Sequence, residues 1–174
     1  MYTALIRVID GAQSLEWEVQ MHGIPSNKKQ EEKQGYEVVV NWEIPEFQSA
    51  DTFYTDSNGL EMQKRVLNYR PDFTLVTDEF ASSNYYPINS AIAIRDESKS
   101  MQLTVMNDRS QGGSVLSDGS IELMQNRRLH HDDGRGVGEA LNEENRYLEG
   151  IEVNTRYFLQ LFNYSTSESL QRKI

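Results

Sequence analysis

The sequence contains no cysteine in its 174 residues. A disulfide framework is thereby excluded for this segment, although the absence does not place the protein in the cytosol. Basic residues are the minority, 17 against 27 acidic ones, for a formal net charge of -10. A nucleic-acid partner would want a basic stripe, so none is expected. An acidic surface suits work at low pH, where protonation of carboxylates relieves self-repulsion. No apolar run approaches the ~20 residues that a membrane helix requires, and no membrane partner is expected. Met1-Tyr2-Thr3-Ala4 opens into a strand pattern without the layout of a signal peptide, so either the chain is cytosolic or its beginning is missing.

What is present is mostly strand. Leu15, Trp17, Val19 and Met21 alternate with Glu16, Glu18, Gln20 and His22, which predicts a strand with one buried face and a solvated His22. Thr3 to Ile9 reads as a strand closed by the turn Asp10-Gly11, and Tyr36 to Trp42 as another from its β-branched and aromatic residues. The charged stretch from Ser26 to Gly35 reads as a loop. Asn58-Gly59 between Thr52–Thr55 and Leu60–Val66 predicts a hairpin. Ala91–Asp96 and Met101–Asn107 predict a second one. Tyr85 and Tyr86 precede Pro87 and must be extended. Asp108 to Ser114 reads as a loop, Ser117 to Ser120 as a turn, and Ile121–Met124 and Tyr157–Phe162 as strands. Many short strands with close-set turn signals predict an all-β fold, an antiparallel β-sandwich over residues 1–165 with a polar tail at 166–174.

The stretch that carries chemistry runs from Asn126 to Gly138. Two arginines, Arg127 and Arg128, lead to Asp132-Asp133 and then to Gly134, Gly136 and Gly138 at alternate positions, with Arg135 among them. Such a backbone can take positive φ and lie close to what it faces, presenting a planar fork of donors able to clamp a carboxylate or vicinal hydroxyls. The competing reading is an ion-pair cluster in which Asp132 and Asp133 brace the three arginines at a strand end. His130-His131 is a poor metal pair, since adjacent side chains diverge on a strand and zinc ligands in one segment need a spacer.

Thr52-Phe53-Tyr54-Thr55-Asp56-Ser57-Asn58-Gly59, Tyr69-Arg70-Pro71, Asn84-Tyr85-Tyr86-Pro87, Asp108-Arg109-Ser110-Gln111-Gly112-Gly113-Ser114, and Arg127-Arg128-Leu129 with Asp132-Asp133-Gly134-Arg135-Gly136 follow one another in order. Together they resemble the C-terminal β-domain of glycoside hydrolase family 38, of the lysosomal α-mannosidase type. Leu15-Glu16-Trp17-Glu18-Val19 with Gly23-Ile24-Pro25 is similar to that domain's opening strand and turn. The resemblance runs roughly from Leu5 to Phe162 and implies a sandwich of the galactose-mutarotase-like, supersandwich type, truncated at its N-terminal side.

The resemblance further implies a retaining exo-α-mannosidase acting on glycoprotein glycans in a lysosome or vacuole. Its zinc ion is held by two histidines and two aspartates in an N-terminal domain that has no counterpart in this sequence. Retention needs a carboxylate nucleophile and a carboxylic acid about 5 Å apart, and these too belong to that other domain. This segment alone is therefore expected to be catalytically silent, with the α-mannosidase catalytic domain and mannose-containing glycans as its partners. Arg135 is implied to reach the mannose pocket, positioned by Asp132 and Asp133, with Arg128, Arg109 and Gln111 in supporting roles. Two other readings stand beside it. One is a free-standing carbohydrate-binding module stacking sugar on Tyr85, Tyr86, Trp17 or Trp42, and the other is a purely structural docking domain. Asn163-Tyr164-Ser165 is a glycosylation sequon, meaningful only in the secretory path.

Overall fold

A computed structural model of the chain describes residues 2–25 and 35–163. The charged 26–34 stretch and the polar tail lie outside the described residues, as does most of the sequon. Eleven strands and one short helix follow in chain order: β1 (Tyr2–Arg7), β2 (Leu15–Met21), β3 (Tyr36–Glu43), β4 (Thr52–Ser57), β5 (Glu61–Val66), α1 (Phe80–Asn84), β6 (Tyr86–Ile88), β7 (Ala91–Asp96), β8 (Met101–Asn107), β9 (Gln111–Ser117), β10 (Ser120–Arg128) and β11 (Val153–Asn163). They form a seven-stranded sheet, β1-β2-β11-β8-β7-β4-β5, and a four-stranded sheet, β3-β10-β9-β6. Neighbours in both sheets run antiparallel. The fold is an all-β sandwich.

Alternation places the core. Phe53, Ile92, Ile94, Leu103, Val105 and Tyr157 come from the larger sheet, and Trp42, Ile88, Val115, Ile121 and Leu123 from the smaller one. Burying side chains on two facing sheet surfaces is what holds such a pair of layers together, at ~25 cal/mol per Å² of apolar area. Trp42 makes edge contacts with Trp17, 6.1 Å between ring centroids, and with Tyr157, at 4.7 Å. The Tyr157 hydroxyl lies at the middle of a buried polar knot. It accepts hydrogen bonds from the amides of Gln111, at 2.8 Å, and Gln125, while Thr155 donates to Gln125 at 2.6 Å.

Both predicted hairpins form. In the first, Asn58 and Gly59 take φ of 53° and 72°, and the turn is locked by Asp56. Its carboxylate accepts from the backbone of Gly59 at 2.8 Å and of Asn89, Ser90 and Ala91 at 2.9, 2.9 and 3.1 Å. One local reading is corrected. Residues 111–114 belong to β9 rather than to a loop. Gly112-Gly113 looks like a turn signal, but its cause is crowding: a Cβ on Gly113 would stand 2.4 Å from Leu123 Cδ2 and 2.8 Å from Ile88 Cγ1. Strand pairs with β6 and β10 require a bare backbone there. β10 and β11 also run longer than their apolar cores suggest, and the five-residue α1 carries no periodicity long enough to reveal it.

Candidate functional site

The loop of interest leaves β10 at Arg128 and returns to β11 at Val153. How it leaves depends on a bulge. Pairing of β10 with β3 shifts between Met124 and Asn126, and the shift resets which side chains face inward. Arg128 therefore turns inward and is only 4% exposed, whereas Arg127 points outward and pairs with Glu37 at 2.8 Å.

Buried Arg128 staples the loop to the rest of the chain. Its guanidinium donates to the carbonyl of Ile24 at 2.6 Å, to that of Asn142 at 3.3 Å, and to Glu144 at 3.2 Å. Beside it the loop crosses the Gly23-Ile24 turn at van der Waals range. A Cβ on Gly150 would meet the Ile24 carbonyl at 2.3 Å, and one on Gly23 would meet the Gly150 carbonyl at 1.9 Å. Further along, Leu129 N–H donates to the Leu141 carbonyl at 2.9 Å, closing the arm that carries the glycines. Asn145 caps the return, its side chain accepting from the N–H of Tyr147 at 2.9 Å and of Glu149 at 3.1 Å.

At the loop's tip, residues 131–139 are exposed. Asp132 accepts from Gly134 N–H at 2.8 Å and Asp133 from Arg135 N–H at 2.9 Å. Gly134 and Gly138 take φ of 71° and 77°. The aspartates thus shape the turn through its backbone and do not clamp a guanidinium; the ion-pair cluster of Asp132 and Asp133 with the three arginines does not form. Among the described residues, the Arg135 guanidinium has no hydrogen-bond or ion-pair partner in the chain. An exposed arginine on a pre-shaped turn can serve an anionic or polyhydroxylated group brought by another surface.

The remaining candidates are placed as follows. Arg109 donates to the Asn154 carbonyl and lies 3.3 Å from Asp108, tying the start of β9 to β11. Gln111 donates to the Met124 carbonyl at 2.7 Å and to Tyr157. Both brace the sandwich, and neither bonds to Arg135. Tyr86 is buried between Phe53 and the guanidinium groups of Arg65 and Arg70, which lie 4.3 and 4.1 Å from its ring centroid. Trp42 is buried in the core. Tyr86 and Trp42 are thus only 8% and 5% exposed, little surface for stacking a sugar ring. Tyr85 donates to Glu122, and burial, together with that bond and the nearby charges of Glu122 and Glu37, pushes its phenol far above the ordinary value. Among the described residues no group of three or more His, Asp or Glu side chains could hold a metal ion. Sequence reasoning read Gly23 only as part of the turn after β2 and passed over Glu144, Asn145 and Gly150; all four position the loop. Gly23 and Gly150 carried the available signal, glycine where two backbones cross.

The class defined by this fold and loop is an antiparallel β-sandwich domain that displays an arginine turn at its surface. Residues 5–135 match the family model described as the glycosyl hydrolases family 38 C-terminal domain. A lysosomal alpha-mannosidase of Cavia porcellus is 48% identical over 139 residues, 80% of this chain and 13% of that protein. The Homo sapiens lysosomal alpha-mannosidase is 46% identical over 139 residues, again 80% of the chain and 13% of the relative. That of Mus musculus is 42% identical over 168 residues, 97% and 16% respectively. The chain belongs to glycosyl hydrolase family 38, as its C-terminal domain, and the matched stretch spans 16% or less of the length of these relatives.

Proposed function

We propose that this chain is the pocket-completing β-domain of a zinc-dependent, retaining exo-α-mannosidase that trims terminal α-mannose from glycoprotein glycans in a lysosome or vacuole. The observation that carries this reading is the state of Arg135. Its turn is set by Asp132 and Asp133 through the backbone, its loop is anchored by Arg128, and its guanidinium is left without a partner among the described residues. A side chain held ready in this way suits donation to sugar hydroxyls, or to a carboxylate beside them, at the face where the catalytic domain docks.

The nucleophile and the acid that retention requires are assigned to that catalytic domain. The described residues do not fit a zinc centre, so the metal is likewise assigned there. On this reading the isolated chain neither hydrolyses an aryl α-mannoside nor binds mannose in calorimetry. Clear mannose binding by the chain alone would favour the free-standing module instead, against which the burial of Tyr86 and Trp42 counts.

The test is a chimera of the Homo sapiens relative in which this chain replaces the segment it matches. Arg135→Ala in that chimera is expected to reduce kcat/KM for an aryl α-mannoside by more than tenfold, or about 1.4 kcal/mol of transition-state stabilisation. Unchanged kinetics would remove Arg135 from the pocket.

A further inference from the structure

The two layers of the sandwich are unequal, seven strands against four. β3 forms one edge of the smaller sheet, and its Trp42 sits over Trp17 of β2 and Tyr157 of β11. β1 lies beyond them, hydrogen-bonded only to β2 among the described strands. Its register puts Tyr2, Ala4 and Ile6 opposite Met21, Val19 and Trp17, on the face that points toward the smaller sheet. Nothing among the described residues covers that face. Tyr2 is 73% exposed, Ile6 49% and Val8, just past the strand, 82%. Beside this overhang, between the turn that follows β1 and the end of β3, opens a cleft of about 690 Å³, lined largely by apolar side chains including Val8, Ile9, Leu15, Leu159 and Leu161, but not by Tyr2, Ala4 or Ile6. Trp17 and Trp42 also line it, and the indole N–H of each is buried without an acceptor among the described residues.

Each observation names the same occupant. A strand edge with no outer neighbour among the described strands offers main-chain hydrogen bonds, an uncovered sheet face offers apolar contact one layer away, and two idle donors call for backbone carbonyls. A strand paired with β3 would lie above β1 and β2 and meet all three needs, whereas a helix would leave the β3 edge unsatisfied. The matched stretch spans 16% or less of the three relatives described above, so polypeptide to supply such a strand is at hand on the functional reading above. We propose that a β-strand with alternating apolar residues, from the polypeptide outside this segment, adds to the outer edge of β3, covers the apolar face of β1 and closes the neighbouring side of the cleft. This inference rests on the reading of the chain as part of a longer α-mannosidase-type protein.

Hydrogen exchange would test it, comparing the isolated chain with the chimera of the human relative described above. The β3 amides that do not bond to β10 are expected to exchange at least tenfold more slowly in the chimera. Equal rates, or an edge already protected in the isolated chain, would overturn the proposal. Ile6→Asp, on the covered face, should leave the isolated chain's Tm within about 2 °C, as exposed substitutions do, and lower the chimera's by more. Leu5→Asp, on the opposite face of the same strand, should be tolerated in both. The isolated chain should also bind bis-ANS with quenching of Trp17 and Trp42 fluorescence, and an absence of binding would mean the cleft is already closed. If instead the isolated chain dimerises and Ile6→Asp abolishes the dimer, a second copy is the occupant and the proposal fails. Mannosidase turnover by the chimera is scored separately: activity with an unprotected β3 sinks the strand alone, while protection without activity sinks only the mannosidase reading.

Discussion

Single atoms decide much of this domain's behaviour, and the glycines show it best. Gly113 and Gly136 are indistinguishable as letters, yet a methyl group on the first would press into Leu123 and Ile88 while one on the second would meet nothing within 4 Å. Gly113→Ala should therefore destabilise the chain by about 1–3 kcal/mol, the usual cost of overpacking. Gly136→Ala should change its denaturation midpoint little. Urea titration of both variants tests the contrast, and equal midpoints would show that β9 can shift to make room. The same reasoning applies to a single oxygen. Tyr157→Phe leaves the buried amide of Gln125 without its acceptor and that of Gln111 with only the Met124 carbonyl, and the loss should be about 1–3 kcal/mol in the same assay.

At the scale of elements, what could be read in advance was what depends on near neighbours. Period-two alternation announced β2, and Asn58-Gly59 announced the β4–β5 hairpin, because each signal is complete within a few residues. β9 escaped because the reason for Gly113 lies on two other strands. Arg128 and Arg127 could not be told apart for a related reason. Which one turns inward is set by a bulge against β3, some 90 positions away in sequence. Arg135 stood out from the start, but the roles of Asp132 and Asp133 as backbone acceptors required coordinates. Arg128 makes the element-scale prediction. Arg128→Leu strands the carbonyls of Ile24 and Asn142 and leaves the exposed Glu144 without its partner, so a loss of about 1–3 kcal/mol is expected. Hydrogen exchange should speed up across residues 129–152 well before it does in β7 and β8, and uniform acceleration would show that the loop does not hang on this staple.

For the molecule as a whole, acid is the informative variable, since a formal charge of -10 leaves much self-repulsion to relieve. Two buried carboxylates oppose that relief. At Asp56 burial disfavours the charge, but the N–H groups of Ser90, Ala91 and Gly59 and the Ser90 hydroxyl outweigh it, and the pKa is held below the ordinary value. Asp96 is depressed further, by the Ser98 hydroxyl first, then by the backbone of Gln48 and Lys99 and by the Lys99 ammonium 3.4 Å away. A carboxyl whose pKa is lower in the folded chain binds its proton more readily when unfolded, so its stabilisation is complete above the unfolded value of about 3.9 and is lost as pH falls through the folded one. Stability should thus hold through the mildly acidic range and fall below about pH 4. Asp96→Asn should lower the urea midpoint most at pH 5 to 7, with the gap to the parent chain closing as pH drops toward 2. A gap that stays constant down to pH 2 would mean that Asp96 acts through shape rather than through charge.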